Sequence, residues 1–401
     1  MKLSVSTLLV SVTLFTSSAY SNSGLFNTTN SPYTSLSPTY EEKRINDIQT
    51  NHTEILAPYQ KFIDKFSKNI ESITEFSSLL NFAKSTGHQL WAIAKKPSNN
   101  QLKDDRPLYW ARLAISQILR QHTQLLDLDT NKRTEIFWQY ELASRGKTDI
   151  NFKPSGHFQV IITGFDPFYL DQNIIQNNPS GAIALSLDGK TINIDDHQVT
   201  IKSFILPVRF EDFDKGMVET LLTSYMRVPL ADMVLTVSMG RPKQFDLERF
   251  PGLRRSTPFP DNLDIYTGAS ASNPLLPRLN GTTLSGPEFV EFSLPAAAMQ
   301  EATGAYLIKD NNRVVTNQGE RFPKKLVELN NLISVEGSGG GYLSNEVSYR
   351  SMLLRNQFKP TLPVGHIHTP YVSEYNADEQ RAILQQFERI LISAVKASAA
   401  Q

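Results

Sequence analysis

The chain contains no cysteine at all. Disulfide staples, thiolate metal sites and a thiol nucleophile are therefore all excluded. It also lacks an excess of either charge, with 40 Lys and Arg against 40 Asp and Glu. Nothing in that balance points to nucleic acid or an anionic membrane as partner. After the first twenty-odd residues no apolar run has the length of a membrane span. The G-x-S-x-G elbow, the H-E-x-x-H zinc motif and the phosphate-binding G-x-x-x-x-G-K-[ST] loop are missing as well, and there is no internal repeat.

What is present is a 401-residue chain with 40% apolar residues, enough for two domains with a sizeable core. Lys2 is followed by an apolar run from Leu3 to Phe15 and then by "TSSAYS", with Ala19 and Ser21 at the −3 and −1 places of a cleavage site. Residues 1–21 read as a secretory signal peptide, so export to the periplasm or beyond the cell is expected. A Ser/Thr/Asn/Pro-rich stretch over 22–39 reads as a flexible leader.

Residues 40–150 carry helical periodicity. Ile55, Tyr59, Phe62, Phe66, Ile70, Ile73 and Phe76 form one stripe behind Thr53 as cap. Leu108, Ala111, Ile115, Ile118 and Leu119 form a second behind Pro107, and a third, around Ile136, Trp138, Tyr140 and Leu142, ends at Gly146. These aromatic stripes read as the core of a small helical N-terminal domain. From about residue 155 short apolar runs alternate with helical patterns: "FQVIITG", "VTIKSFILPV", "ADMVLTVSMG", "NLISVEG" and "PVGHIHTP", with an amphipathic tail over 376–397. This is the signature of a layered α/β domain spanning 155–401, whose site lies past the carboxyl ends of the strands.

Chemistry-bearing residues sit in those loops. Ser344 follows the glycine run of "EGSGGGYLSNEVSYR" and opens a helix, where it is either a cap or a hydroxyl beside free N–H groups and the helix dipole. His366 and His368 share one face of a strand; one suffices as a base, and His368 is nearer the strand end. A zinc site on the two would need a third ligand that the sequence does not announce. Glu248 in "FDLERF" could orient a histidine, although a Glu-Arg pair is commonly a solvated face. Phe165 and Phe168 follow the first strand and either wall a flat pocket or join the core.

Taken together these pieces resemble the pyroglutamyl peptidase type I family. The resemblance rests on "TGFDPF", "NNPS" at Asn178–Ser180, "LPVRF", Gly240–Arg241, Glu248–Arg249, Pro260–Asp261–Asn262, "GGYLSNEVSY" and "GHIHTPY". It implies a three-layer α/β/α sandwich, no cofactor or metal, and removal of N-terminal pyroglutamate from a peptide. Carried over position by position, the family's Cys–His–Glu triad becomes Ser344, His368 and Glu248. Phe165, Phe168, Asn178, Tyr342 and Leu343 would line the lactam pocket. An oligomer is compatible with this reading. The chain departs from the family at the nucleophile, at Pro258 in place of an arginine, at Glu346 in place of a histidine, and in an inserted stretch near 301–330. Two further readings are a binder that kept the pocket without turnover, and a metal-dependent hydrolase on His366 and His368.

Overall fold

The computed structural model describes residues 31–96, 102–150, 152, 156–228 and 230–399. The expected signal peptide and the start of the leader lie outside these residues.

Long apolar runs become strands buried on both faces. Val160, Ile161 and Ile162 of His157–Phe165, and every residue of Met233–Met239, are buried, as central parallel strands require. The resulting seven-stranded sheet runs Thr191–Ile194, His197–Leu206, His157–Phe165, Met233–Met239, Val364–Thr369, Gln244–Glu248, Leu307–Asn311. The second to fifth of these are mutually parallel. Gln244–Glu248 then runs antiparallel to Val364–Thr369 and parallel to the edge strand Leu307–Asn311. Helices Pro179–Leu187 and Ala377–Ala399 pack together on one face of the sheet; Met217–Arg227 and Leu343–Phe358 pack together on the other. The expected α/β/α sandwich is the one observed.

The apolar run "NLISVEG" does not enter this sheet. Asn331 has φ +64° and Gly337 follows, so only Ser334–Glu336 is extended, and it pairs with Val314–Thr316 in a separate three-stranded sheet. The sheet includes Gln244–Glu248 instead, whose buried Asp246 and Glu248 break the apolar pattern that marks the other strands.

Helices of the N-terminal region bury their apolar stripes as the periodicity implies, with Trp91, Trp110, Tyr109 and Tyr140 at the centre. Pro107 lies in the first turn of Arg106–Gln121. The stripe from Ile55 to Phe76 is divided among Thr53–Leu56, Gln60–Ile70 and Phe76–Ala94, and Thr53 is the first helical residue, behind a cap at His52. No helix among the described residues is long and apolar enough to cross a membrane.

Two features go beyond a leader followed by a small helical domain. Residues 31–39 are packed, not flexible. Tyr33 is fully buried and donates to Asp212 at 2.6 Å, and the Arg120 guanidinium donates to the carbonyls of Ser35 and Pro32 at 2.6 and 2.9 Å. Their polar side chains find partners inside the protein, which composition alone does not reveal. The helical core also continues into the α/β part through Leu170, Ala184, Leu185 and Ile205.

The join between these layers is ionic and dry. Asp166, the aspartate of "GFDPF", accepts from Arg112 at 2.8 and 3.0 Å and from Arg145 at 2.7 Å, all three almost inaccessible to solvent. Arg209 of "LPVRF" reaches Glu41, Glu141 and Asp212 at 3.3, 3.1 and 2.8 Å. Burial alone would push the Asp166 carboxyl up, but the two guanidinium groups outweigh it and hold it below the usual carboxylate range.

Candidate active site

Strand polarity gathers the motifs at one rim. The carboxyl ends of His157–Phe165, His197–Leu206 and Met233–Met239 deliver Phe165, Val208 and Met239 to a cavity of about 450 Å³. Phe168, Asn178, Tyr342, Leu343 and Ser344 line the same cavity, so the residues expected around a pocket are gathered there. Tyr169, held at φ +65°, and Phe259 also line it and remain 41% and 63% exposed, forming an aromatic mouth. Asn178 is committed elsewhere. Its Oδ1 accepts from the Ser180 N–H at 3.0 Å to cap a helix, and its Nδ2 donates to the Asp166 carbonyl at 2.9 Å.

His368 and Glu248 form a pair just behind this cavity. The antiparallel strands set His366 opposite Glu248 and His368 opposite Asp246, and the Glu248 carboxylate reaches the His368 ring, Oε1 lying 2.6 Å from Nδ1. When Glu248 is ionised its carboxylate can only accept, which puts the ring proton on Nδ1 and leaves Nε2 as the basic nitrogen. Among the described residues nothing hydrogen-bonds that Nε2. Burial raises the Glu248 carboxyl above its ordinary value, with His368 opposing it, Asp246 adding to it and Asn311 opposing it. Arg249 points to the other side of the strand, toward Glu291 and Asp310, so Glu248–Arg249 is not a solvated pair.

His366 is built differently. Thr236 Oγ1 and Ser238 Oγ each lie 2.8 Å from one of its ring nitrogens, and complete burial holds its basicity well below the ordinary value. Both nitrogens are occupied, which removes it as a ready metal ligand. Among the described residues no group of three or more His, Asp or Glu side chains is placed to hold a metal ion.

Ser344 is neither a cap nor bonded to the histidine. Helix Leu343–Phe358 is capped at Tyr342, and the Ser344 hydroxyl donates to the Gly339 carbonyl at 3.2 Å. The first bond of the helix runs from the Glu346 N–H to Tyr342 O, so the N–H groups of Leu343, Ser344 and Asn345 precede it, the first two of these residues lining the cavity. Gly339 and Gly240 border both the cavity and the histidine. A Cβ at Gly339 would lie 3.5 Å from the His368 Cε1, and one at Gly240 would lie 2.5 Å from the His368 Cβ. Only glycine fits at position 240.

Sequence reasoning missed two residues here. Asn311 donates from Nδ2 to Glu248 Oε2 at 2.7 Å and to the Ser338 carbonyl at 2.9 Å. Ser256, pressed against Gly341, presents a buried hydroxyl to the cavity lining with no partner among the described residues. Neither stands in a motif. At one other departure, Glu346, the chain is self-consistent: Glu346 binds Arg255 and Arg350 at 2.6 and 2.8 Å, and Arg255 in turn binds Asp214 at 2.7 Å. Among the described residues the cation lining the cavity is Arg44, from the helical region, paired with Asp171 at 2.7 Å.

Asp261 on the cavity wall offers a pH test. Burial pushes its carboxyl up to about 7, against the N–H groups of Phe210, Ile265 and Leu263 that donate to it. A carboxyl raised in this way favours the folded state as the acid. That contribution is complete below about pH 4 and is lost as pH climbs through about 7. In urea midpoints measured across this window, the advantage of wild type over Asp261→Asn should shrink with rising pH. Parallel curves would show that Asp261 does not titrate there.

The family described as "PA0049, C-terminal domain" matches residues 159–288 and 308–373, and the family described as "PA0049 N-terminal domain" matches residues 24–141. Both layers of the fold thus have counterparts in one other protein. That protein, the uncharacterized PA0049 of Pseudomonas aeruginosa, is 27% identical over 395 aligned positions, which cover 76% of this chain and 71% of the relative. Among solved structures, a mutant pyrrolidone carboxyl peptidase (E192I) from the hyperthermophile Pyrococcus furiosus is 22% identical with a TM-score of 0.41, covering 60% of this chain and 99% of that one. Pyroglutamyl peptidase I from Bacillus amyloliquefaciens is 20% identical with a TM-score of 0.40, covering 60% of this chain and 95% of that one.

Proposed function

We propose that the chain is an exported hydrolase that removes N-terminal pyroglutamate from peptides, with serine in the place of the usual cysteine. The observation that carries this reading is the 2.6 Å bond between the His368 Nδ1 and the buried Glu248 carboxylate, set directly behind the cavity that Ser344 lines. In this mechanism Ser344 rotates from the Gly339 carbonyl toward His368 Nε2, which takes its proton as the hydroxyl attacks the lactam-side amide carbonyl. Glu248 holds the ring tautomer and stabilises the imidazolium. N–H groups at the start of helix Leu343–Phe358 stabilise the oxyanion, and the imidazolium then protonates the leaving amine. Phe165, Phe168, Tyr342 and Leu343 supply flat apolar walls for the ring. A hydroxyl also avoids the oxidation to which an exposed low-pKa thiol is prone outside the cytoplasm.

A second reading has its own support. The Ser344 hydroxyl rests on a carbonyl rather than on the histidine, as suits a protein that binds a pyroglutamyl peptide without cleaving it. Release of aminomethylcoumarin from its pyroglutamyl amide separates the two. Wild type should turn over, and Ser344→Ala should lose at least about a thousandfold in kcat. If only Ser344→Cys cleaves while wild type binds, the protein is a binder. Recovery of the protein from the cytoplasm alone, with residues 1–21 still attached, would remove the export.

A further inference from the structure

We propose that Asn311 is a positioning residue that locks the Glu248 carboxylate to the loop carrying the nucleophile. The proposal rests on the triad reading above, but its first test does not need turnover. Asn311 ends the edge strand Leu307–Asn311, opposite Glu248 at the end of its neighbour. It comes from the stretch by which the sequence departs from the pyroglutamyl peptidase pattern, so no motif announces it.

Its amide is fully used. One Nδ2 proton goes to Glu248 Oε2 at 2.7 Å, the oxygen that His368 leaves free, and the other to the Ser338 carbonyl at 2.9 Å. Ser338 is itself fastened to Phe250, N–H to carbonyl at 2.9 Å one way and Phe250 N–H to hydroxyl at 3.0 Å the other. One planar group therefore sets the acid's rotation and ties it to the start of the glycine turn that leads to Ser344. Asn311 is 2% exposed, so water cannot replace it without rearrangement. It also donates to the oxygen that carries negative charge when Glu248 is ionised, which burial opposes. The other titratable groups facing the pair are Asp246, which lies near Arg241, and the buried His366, whose ring centroid is 4.8 Å from that of His368.

Removing the donor should make the buried Glu248 carboxyl beside His368 take up its proton at higher pH. Imidazole nitrogen NMR of the labelled full-length protein reads this directly, with His368 assigned by loss of its signals in His368→Gln. In Asn311→Ala the midpoint should rise by about one unit. In Asn311→Asp, which keeps the shape but faces Glu248 with a second acid, it should rise further. On the pyroglutamyl amide both variants should lose roughly ten- to a hundredfold in kcat with KM little changed. Midpoints within about 0.2 units of wild type in the folded variants would overturn the proposal, and should Asn311→Ala fail to fold, the isosteric Asp variant decides. A shifted midpoint in a protein that never cleaves the amide would sink the hydrolase reading and leave the positioning role standing.

Discussion

Asp166→Ala should cost about 3–5 kcal/mol of stability, more than any other substitution considered for this chain. The reason lies in what the aspartate leaves behind. Among the described residues the Arg112 guanidinium bonds to no other carboxylate, and its Nε already lacks a partner. Arg145 keeps Glu141 at 2.7 Å, so the unmatched charge is chiefly that of Arg112, which is 2% exposed. A buried ion pair adds little over a hydrophobic replacement, whereas a single buried charge without its partner is strongly destabilising. The double variant Asp166→Ala with Arg112→Met should therefore recover more than half of the loss. Guanidinium denaturation of the three proteins provides the measurement. A single variant within about 1 kcal/mol of wild type would show that the arginine finds water or another acid. Because Asp166 lies between Phe165 and Phe168, both on the cavity wall, KM for the pyroglutamyl amide should rise in the single variant as well.

Glu248→Gln should lower kcat by about three to four orders of magnitude, since an amide allows the wrong tautomer of the partner histidine and cannot balance an imidazolium. Stability should move the other way or hardly at all. Burial raises the Glu248 carboxyl above its ordinary value, so its share of stability is present in acid and is lost as pH rises through the raised value, above which the ionised group burdens the fold. Its replacement by a neutral group of the same shape should leave stability within about 1 kcal/mol of wild type. A large loss of activity with an unchanged denaturation midpoint is the signature of a site residue rather than a structural one. Comparable losses in both would assign Glu248 to the scaffold and end the triad reading.

How much of this arrangement the sequence disclosed depended on the kind of signal each residue carries. The alternation of strands and helices was readable because the parallel strands are continuous apolar runs and the helices keep a clean period, whereas the three-layer order came only through the resemblance. His368 was readable because alternation along a strand end leaves few choices. Glu248 was readable only through its place in a series of motifs: the strand bearing it carries two buried acids, and adjacent Arg249 disguised it as half of a surface pair. Ser344 was located, but its hydroxyl partner is a carbonyl five residues earlier, decided by the path of the glycine turn. Asn311 and Ser256 gave no signal, since their roles exist only through residues distant in the chain. Residues 31–39 look like linker by composition and are core by contact, because serine and tyrosine can satisfy buried charges as readily as they can face water.

The ion pairs that cross between the layers also bear on how the chain can be cut. A recombinant fragment begun at residue 156 would keep Asp166, Arg209 and Asp212 but lose Arg112, Arg145, Glu41 and Glu141, together with the apolar cover over Leu170, Ala184 and Leu185. Such a fragment would precipitate or remain molten rather than act as a minimal enzyme, and the intact chain should melt in one step instead of two.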